Sequence, residues 1–355
     1  MSVTSEEIRA ELARVALPDG KTLISADLVR AIQIEGTTVR FVIEAPSPEI
    51  ARLMEPVRKA AEAVVLDLPG VEQVSVALTA HGPSAPPPTG LKIGGHPKPQ
   101  AGSLKPSGVA RILAIGSGKG GVGKSTVSSN LAVALARAGR RVGLLDADIY
   151  GPSQPRMMGL SQKPESPDGK TILPLTAHGV TFMSIGLMLP EEKAVVWRGP
   201  MLMGALQQML SQVAWGELDV LIVDLPPGTG DVAMTLCQKA QVSGAIVVST
   251  PQDVALLDAR KALDMFETLK TPVLGLIENM SVFTCPHCGG QSHIFGSGGT
   301  VAEASARGVP LLAQLPLDLD TRLAGDGGVP VAAGDGPMAE AYAKLAEGLI
   351  KGGMA

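Results

Sequence analysis

Apolar and polar residues alternate with two distinct periods along this chain. Near the N-terminus a helical pattern gives way to Thr38-Val-Arg-Phe-Val-Ile-Glu44, where every second residue is apolar, as in a strand with one buried face. The pattern then predicts a helix over 48–66 and a short strand over 71–78, so residues 1–80 read as a small α+β unit. Between 81 and 108 the periodicity dissolves: seven Pro, six Gly and three Lys occur without an acid or an aromatic. Such a segment buries too little apolar surface to offset its ordering entropy, so it is expected to be a mobile linker. From 109 to 355, apolar runs at 111–115, 142–146, 180–185, 220–224, 245–250, 273–278 and 311–315 alternate with helical patterns, among them 124–138 and 253–269. Strands of this unbroken apolar kind belong to a mainly parallel sheet wrapped by helices, an α/β architecture.

Composition narrows the function classes. The 355 residues suit two domains. Thirty basic against 34 acidic residues, a net charge of −4, give no electrostatic reason to bind nucleic acid or an anionic membrane. Five Phe, two Trp and two Tyr are too few for a base-stacking surface. No apolar run approaches the ~20 residues that span a bilayer, and the N-terminus lacks the apolar core of an export signal. Three cysteines, Cys237, Cys285 and Cys288, cannot form a secreted disulfide framework, so reduced thiols and a cytoplasmic location are expected.

The first chemistry follows the first strand of the larger unit. Gly118-Lys119-Gly120-Gly121-Val122-Gly123-Lys124-Ser125-Thr126 satisfies G-x-x-x-x-G-K-[ST] between a strand and a helix, the context a phosphate-binding loop requires. Glycines let backbone N–H groups turn toward phosphate oxygens, and the helix start adds its positive dipole end. Lys124 is expected on the β- and γ-phosphates of ATP, with the Ser125 hydroxyl on Mg²⁺. Lys119 is not required by the general motif; it could reach the nucleotide of a facing subunit, adding charge in trans as an arginine finger does. The whole string resembles the deviant Walker A motif of the family that includes MinD, ParA, the arsenite-pump ATPase and nitrogenase iron protein, which implies an ATP-sandwich homodimer.

Two acidic strand ends flank that loop. By the same resemblance, Asp148 of Asp146-Ala-Asp-Ile-Tyr-Gly-Pro-Ser153 would position the attacking water, and Asp146 would support the metal site. Asp224-Leu-Pro-Pro-Gly-Thr-Gly-Asp231 reads as a Walker B strand and a second switch, with Gly228 and Gly230 permitting movement. The resemblance places the Asn279 amide on adenine and makes Gln314-Leu-Pro-Leu-Asp318 the second segment flanking the base.

Cys285-Pro-His-Cys288 supplies two thiolates, half of the four ligands a stable zinc or iron-sulfur centre needs. A two-fold axis would supply the other half by bringing each pair opposite its copy. A redox pair, a zinc turn completed by His287 or His293, and two unliganded thiols remain as other readings of the spacing. Cys237 lies in an apolar helical stretch and reads as a packed core thiol.

Taken in order, the loop, the Asp148 segment, the Asp224 segment and Cys-Pro-His-Cys-Gly-Gly290 closely resemble the Mrp/ApbC iron-sulfur cluster carrier ATPases. Residues 1–80 resemble the small domain that accompanies many of these carriers, although Ala45-Pro-Ser-Pro48 stands where that domain often has a cysteine. The resemblance implies a homodimeric ATPase that uses ATP and Mg²⁺, holds a labile 4Fe-4S cluster at Cys285 and Cys288, and exchanges it with cluster donors and apo iron-sulfur proteins. The competing expectation is a MinD- or ParA-like positioning ATPase acting on membrane or DNA. Its amphipathic membrane helix would have to be the short, weakly basic C-terminal tail.

Overall fold

The computed structural model describes residues 3–17, 20–45, 50, 53–80, 104–188 and 199–355. The chain divides into two compact units, the first ending at Gly90 and the second beginning at Leu91.

In the N-terminal unit, helix α1 (Ser5–Leu12) opens on a capping box in which Thr4 and Glu7 satisfy each other's backbone N–H groups. Strands β1 (Val29–Glu35), β2 (Thr38–Ala45) and β3 (Gln73–Ala80) form a sheet in that order, backed by helix α2 (Glu55–Leu66). The alternation that predicted β2 is realised: Val39, Phe41 and Ile43 are buried, with Ile8, Leu12, Ala61 and Val65 in the same core. Strand β1 was not expected. Ala31 sits at a φ of 51° and the register shifts between Arg30 and Gln33, so the two-residue period is broken inside it. Most of the start of the helix expected over 48–66 lies outside the described residues, as does the expected linker over 81–103.

The last residues of that expected linker are ordered. Leu104 is buried, and its N–H donates to the carbonyl of Lys239 at 2.8 Å. Burying a leucine contributes about 2 kcal/mol, so 104–108 belong with the larger unit.

That unit is built on strands β4 (Val109–Ser117), β5 (Val142–Asp146), β6 (Leu175–Ala177), β7 (Val180–Ser184), β8 (Leu218–Asp224), β9 (Gly244–Ser249), β10 (Val273–Thr284), β11 (Gln291–Ser292) and β12 (Leu311–Leu317). They lie in the order β11-β10-β9-β4-β8-β5-β7-β6, with β12 also paired to β10. All pairings are parallel except those of the short edge strands β6 and β11. The helices are α3 (Lys124–Arg137), α4 (Gln154–Met157), α5 (Gly199–Ser211), α6 (Asp231–Lys239), α7 (Asp253–Thr268), α8 (Gly299–Arg307), α9 (Leu319–Gly327) and α10 (Pro337–Lys351).

Both faces of the sheet are covered, which is why its strands read as unbroken apolar runs. In β4, Ile112 and Ala114 join one core with Leu206, Leu236 and Phe266, whereas Leu113 and Ile115 join the other with Leu131, Tyr342 and Leu345. Helix α10 therefore spends its apolar face on the core. Among the described residues no helix is long and apolar enough to cross a membrane. Cys237 is buried, and burial pushes its thiol up to about 12, as befits a packing residue.

Candidate functional site

The loop between β4 and α3 is fixed by two close approaches. A Cβ on Gly118 would fall 2.0 Å from the Asp258 carbonyl carbon, and one on Gly123 would fall 2.1 Å from Asn279 Nδ2. Gly123 also has a φ of +85°, which L side chains rarely adopt, so only glycine suits either position. No side chain caps the start of α3, which leaves its first N–H groups for an anion.

Polar groups from five elements gather beside the loop. Lys124 Nζ donates to Asp224 Oδ1 at 2.8 Å and to Ser125 Oγ at 3.2 Å, and lies 3.8 Å from Asp148 Oδ2. Ser128 Oγ donates to the same Asp224 oxygen at 2.8 Å. Asp146 is the register partner of Asp224 on the neighbouring strand. It accepts from Ser184 Oγ at 2.9 Å and from the Asp148 N–H at 3.1 Å. Strand ends thus bring together Lys124, Ser125, Asp146, Asp148 and Asp224, although they are spread over a hundred residues. Lys119 is half-buried and its ammonium makes no ion pair or hydrogen bond among the described residues. Gln154, Ser128 and Ser184 belong to this cluster and were not singled out from sequence; a polar residue at a position with no motif offers no signal until its neighbours are known.

Burial raises Asp146 and Asp148. The Asp146 carboxyl is pushed up to about 8, by desolvation first and then by the Asp224 charge, against the pull of its two hydrogen bonds and Lys124. Asp148 is raised by desolvation, with Lys124 opposing. The unfolded chain ionises Asp146 near the ordinary value of about 4 and the folded chain only near 8, so folding binds a proton between them. This contribution to stability is present at low pH and is lost as pH rises through that window. Asp146→Asn imitates the neutral acid, so its melting temperature is expected to exceed that of the wild type at pH 8 and to converge with it at pH 4. A difference that stays constant across that range would overturn the assignment.

A cavity of about 440 Å³ opens next to Gly123 and Thr126 and is walled by Asn279, Met280, Pro316, Leu317 and Asp318, among others. Asn279 is held by donating from Nδ2 to the Val122 carbonyl at 2.9 Å. The Gln314–Asp318 segment contributes only its second half to this wall. The Gln314 side chain turns away to donate to Glu278 Oε1 at 2.7 Å, because a buried carboxylate needs a donor.

The cysteine pair lies at the other end of β10. Pairing of Phe283 with Ser292 and Thr284 with Gln291 closes a hairpin, tightened by mutual hydrogen bonds between the backbones of Cys285 and Gly289–Gly290. The N–H groups of Cys288 and His287 and the Cys288 thiol lower the Cys285 thiol below its ordinary value, which favours the thiolate that binds metal. Cys285 is half-buried and Cys288 exposed. His293 Nδ1 is occupied by the Ser281 carbonyl at 3.0 Å. No group of three or more His, Cys, Asp or Glu that could hold a metal occurs among the described residues.

The family described as NUBPL iron-transfer P-loop NTPase matches residues 108–350, and the family described as iron-sulfur cluster assembly protein matches residues 5–76. The iron-sulfur cluster carrier protein of Synechocystis is 43% identical over 97% of this chain and 96% of its own. That of Pseudomonas fragi is 51% identical over 67% of this chain and 84% of its own. A nucleotide-binding protein from Archaeoglobus fulgidus, solved in complex with ADP, is 40% identical with a TM-score of 0.55 over 62% of this chain and 88% of its own.

Proposed function

Because the chain belongs to the NUBPL iron-transfer P-loop NTPase family, we propose that it is an ATP-hydrolysing carrier whose cargo is a labile 4Fe-4S cluster. The cluster is held between Cys285 and Cys288 of two copies and delivered to apo-proteins. The observation that carries this reading is the cysteine hairpin: two accessible thiols, one biased toward thiolate, and no three-ligand metal group among the described residues. A four-ligand cluster then requires a second copy. The relatives named as iron-sulfur cluster carrier proteins support the same cargo.

The loop residues fit a magnesium nucleotide. The uncapped helix start, the left-handed glycines and the adjacent Lys124 ammonium and Ser125 hydroxyl match a polyphosphate and its cation. Ser125 Oγ would ligate Mg²⁺, whose chemistry is to neutralise charge on the transferring phosphoryl group. Lys124 would exchange its contact with Asp224 for phosphate oxygens, Asp224 would order the cation's water shell, and Asp148 would orient the attacking water. Asn279 and the wall at 316–318 would flank the base. Lys119, whose ammonium has no partner among the described residues, would serve the facing subunit.

Anaerobic reconstitution with iron and sulfide tests the cargo. The wild type is expected to gain charge-transfer absorbance and about four iron atoms per dimer, and the Cys285→Ser/Cys288→Ser variant neither. Equal iron in both proteins would sink the reading.

A further inference from the structure

One buried amide is not accounted for by the loop, the acids or the cysteines. Gln154 is the first residue of α4, directly after the Asp148–Ser153 segment, and its side chain is fully buried. Both protons of its Nε2 are used: one goes to Asp224 Oδ2 at 3.0 Å and the other to the Ser125 carbonyl at 2.9 Å. Its Oε1 is buried with no hydrogen-bond partner among the described residues. A buried amide that leaves its acceptor unsatisfied is costly, and a methionine of similar size would fill the space without that penalty. The position is therefore poorly explained by packing and well explained by the two donors.

The two oxygens of Asp224 are held differently. Oδ1 accepts from Lys124 and Ser128, whereas Oδ2 has Gln154 alone among the hydrogen bonds of the described residues. When Lys124 turns to phosphate, two neutral donors remain, one on each oxygen, and together they fix the plane of the carboxylate. The same NH₂ group also pins the backbone of Ser125, whose hydroxyl is the other magnesium-facing group. We infer that Gln154 is a positioning residue: its amide clamps Asp224 and Ser125 in one geometry, so that the tightening of nucleotide binding by Mg²⁺ depends on it. This rests on the magnesium-nucleotide reading above. Because Gln154 is continuous with the Asp148 segment, the clamp also ties that segment to the state of the cation site.

The test compares binding of a fluorescent ATP analogue to the full chain with Mg²⁺ and with excess EDTA. In Gln154→Met, volume is kept and both donors are lost. The affinity gained on adding Mg²⁺ is expected to shrink about tenfold, the effect of losing one hydrogen bond to a charged group, while affinity in EDTA stays within about twofold of wild type. The Mg²⁺ concentration for half-maximal turnover should rise by a similar factor. Gln154→Glu, which sets a carboxylate against Asp224 and the Ser125 carbonyl, should show a larger loss of the Mg²⁺ effect, and it provides a second measurement if the Met variant melts early. Equal weakening in Mg²⁺ and EDTA, or no change in either, would overturn the proposal. A wild type that binds no nucleotide under either condition would instead bring down the reading on which it rests.

Discussion

Lys124→Met is expected to lower ATP turnover by about 10²–10³-fold, the loss seen when one preorganised donor to developing charge is removed. It should also destabilise the protein before any nucleotide arrives. Lys124 Nζ is the cation that neutralises Asp224, and both side chains are buried. Removing one member of such a pair costs about 3–5 kcal/mol, because the remaining charge stays out of water. Ser128 and Gln154 still donate to Asp224, which places the expected cost near the lower end of that range. The double variant Lys124→Met/Asp224→Asn should regain the stability and none of the turnover. Thermal melting and phosphate release measured on the same preparations separate the two effects. A single variant that melts with the wild type would contradict the charge argument.

Lys119→Ala is expected to do the reverse: to leave stability and ATP affinity within about twofold and to reduce turnover by 10³-fold or more, the scale of an absent cationic finger. The expectation of unchanged stability follows from the free Lys119 ammonium, which holds no hydrogen bond or ion pair among the described residues. Mixing provides the sharper measurement. If Lys119 acts on the facing copy, combining Lys119→Ala with Lys124→Met gives heterodimers with one complete site, and an equal mixture recovers about a quarter of wild-type turnover by symmetry. Two inactive proteins that stay inactive when mixed, while still dimerising, would place Lys119 in its own site.

Much of the larger unit was legible because its strands are buried on both faces and its helices carry clear stops. The helix expected over 124–138 ends one residue earlier, at Arg137, with Gly139 taking the left-handed turn after it. The loop and the acids at strand ends were legible because phosphate chemistry demands those residue types after those strands. What was hidden depended on tertiary neighbours. Strand β1 was masked by its irregular register, and β6 and β11 are too short to carry a period. Leu104 reads as linker because nothing in a Pro- and Gly-rich stretch announces a hydrogen bond to the distant Lys239 carbonyl. The resemblance groups Gln314 with the segment flanking the base, whereas the fold turns its side chain to Glu278. Gln154 became meaningful only once Asp224 and Ser125 stood on either side of it.

Strand β10 joins the phosphate loop to the cysteine hairpin. It carries Asn279, whose amide is wedged against Gly123 of the phosphate loop, and it ends one residue before Cys285. Six residues separate Asn279 from Cys285, a reach of at most about 20 Å. Between Asn279 and Thr284 the backbone turns at Met280, at a φ of 56°, where the register against β12 also slips. In the proposed carrier, any nucleotide-driven shift at the phosphate loop would reach the cysteines along this one piece of backbone, through the turn at Met280.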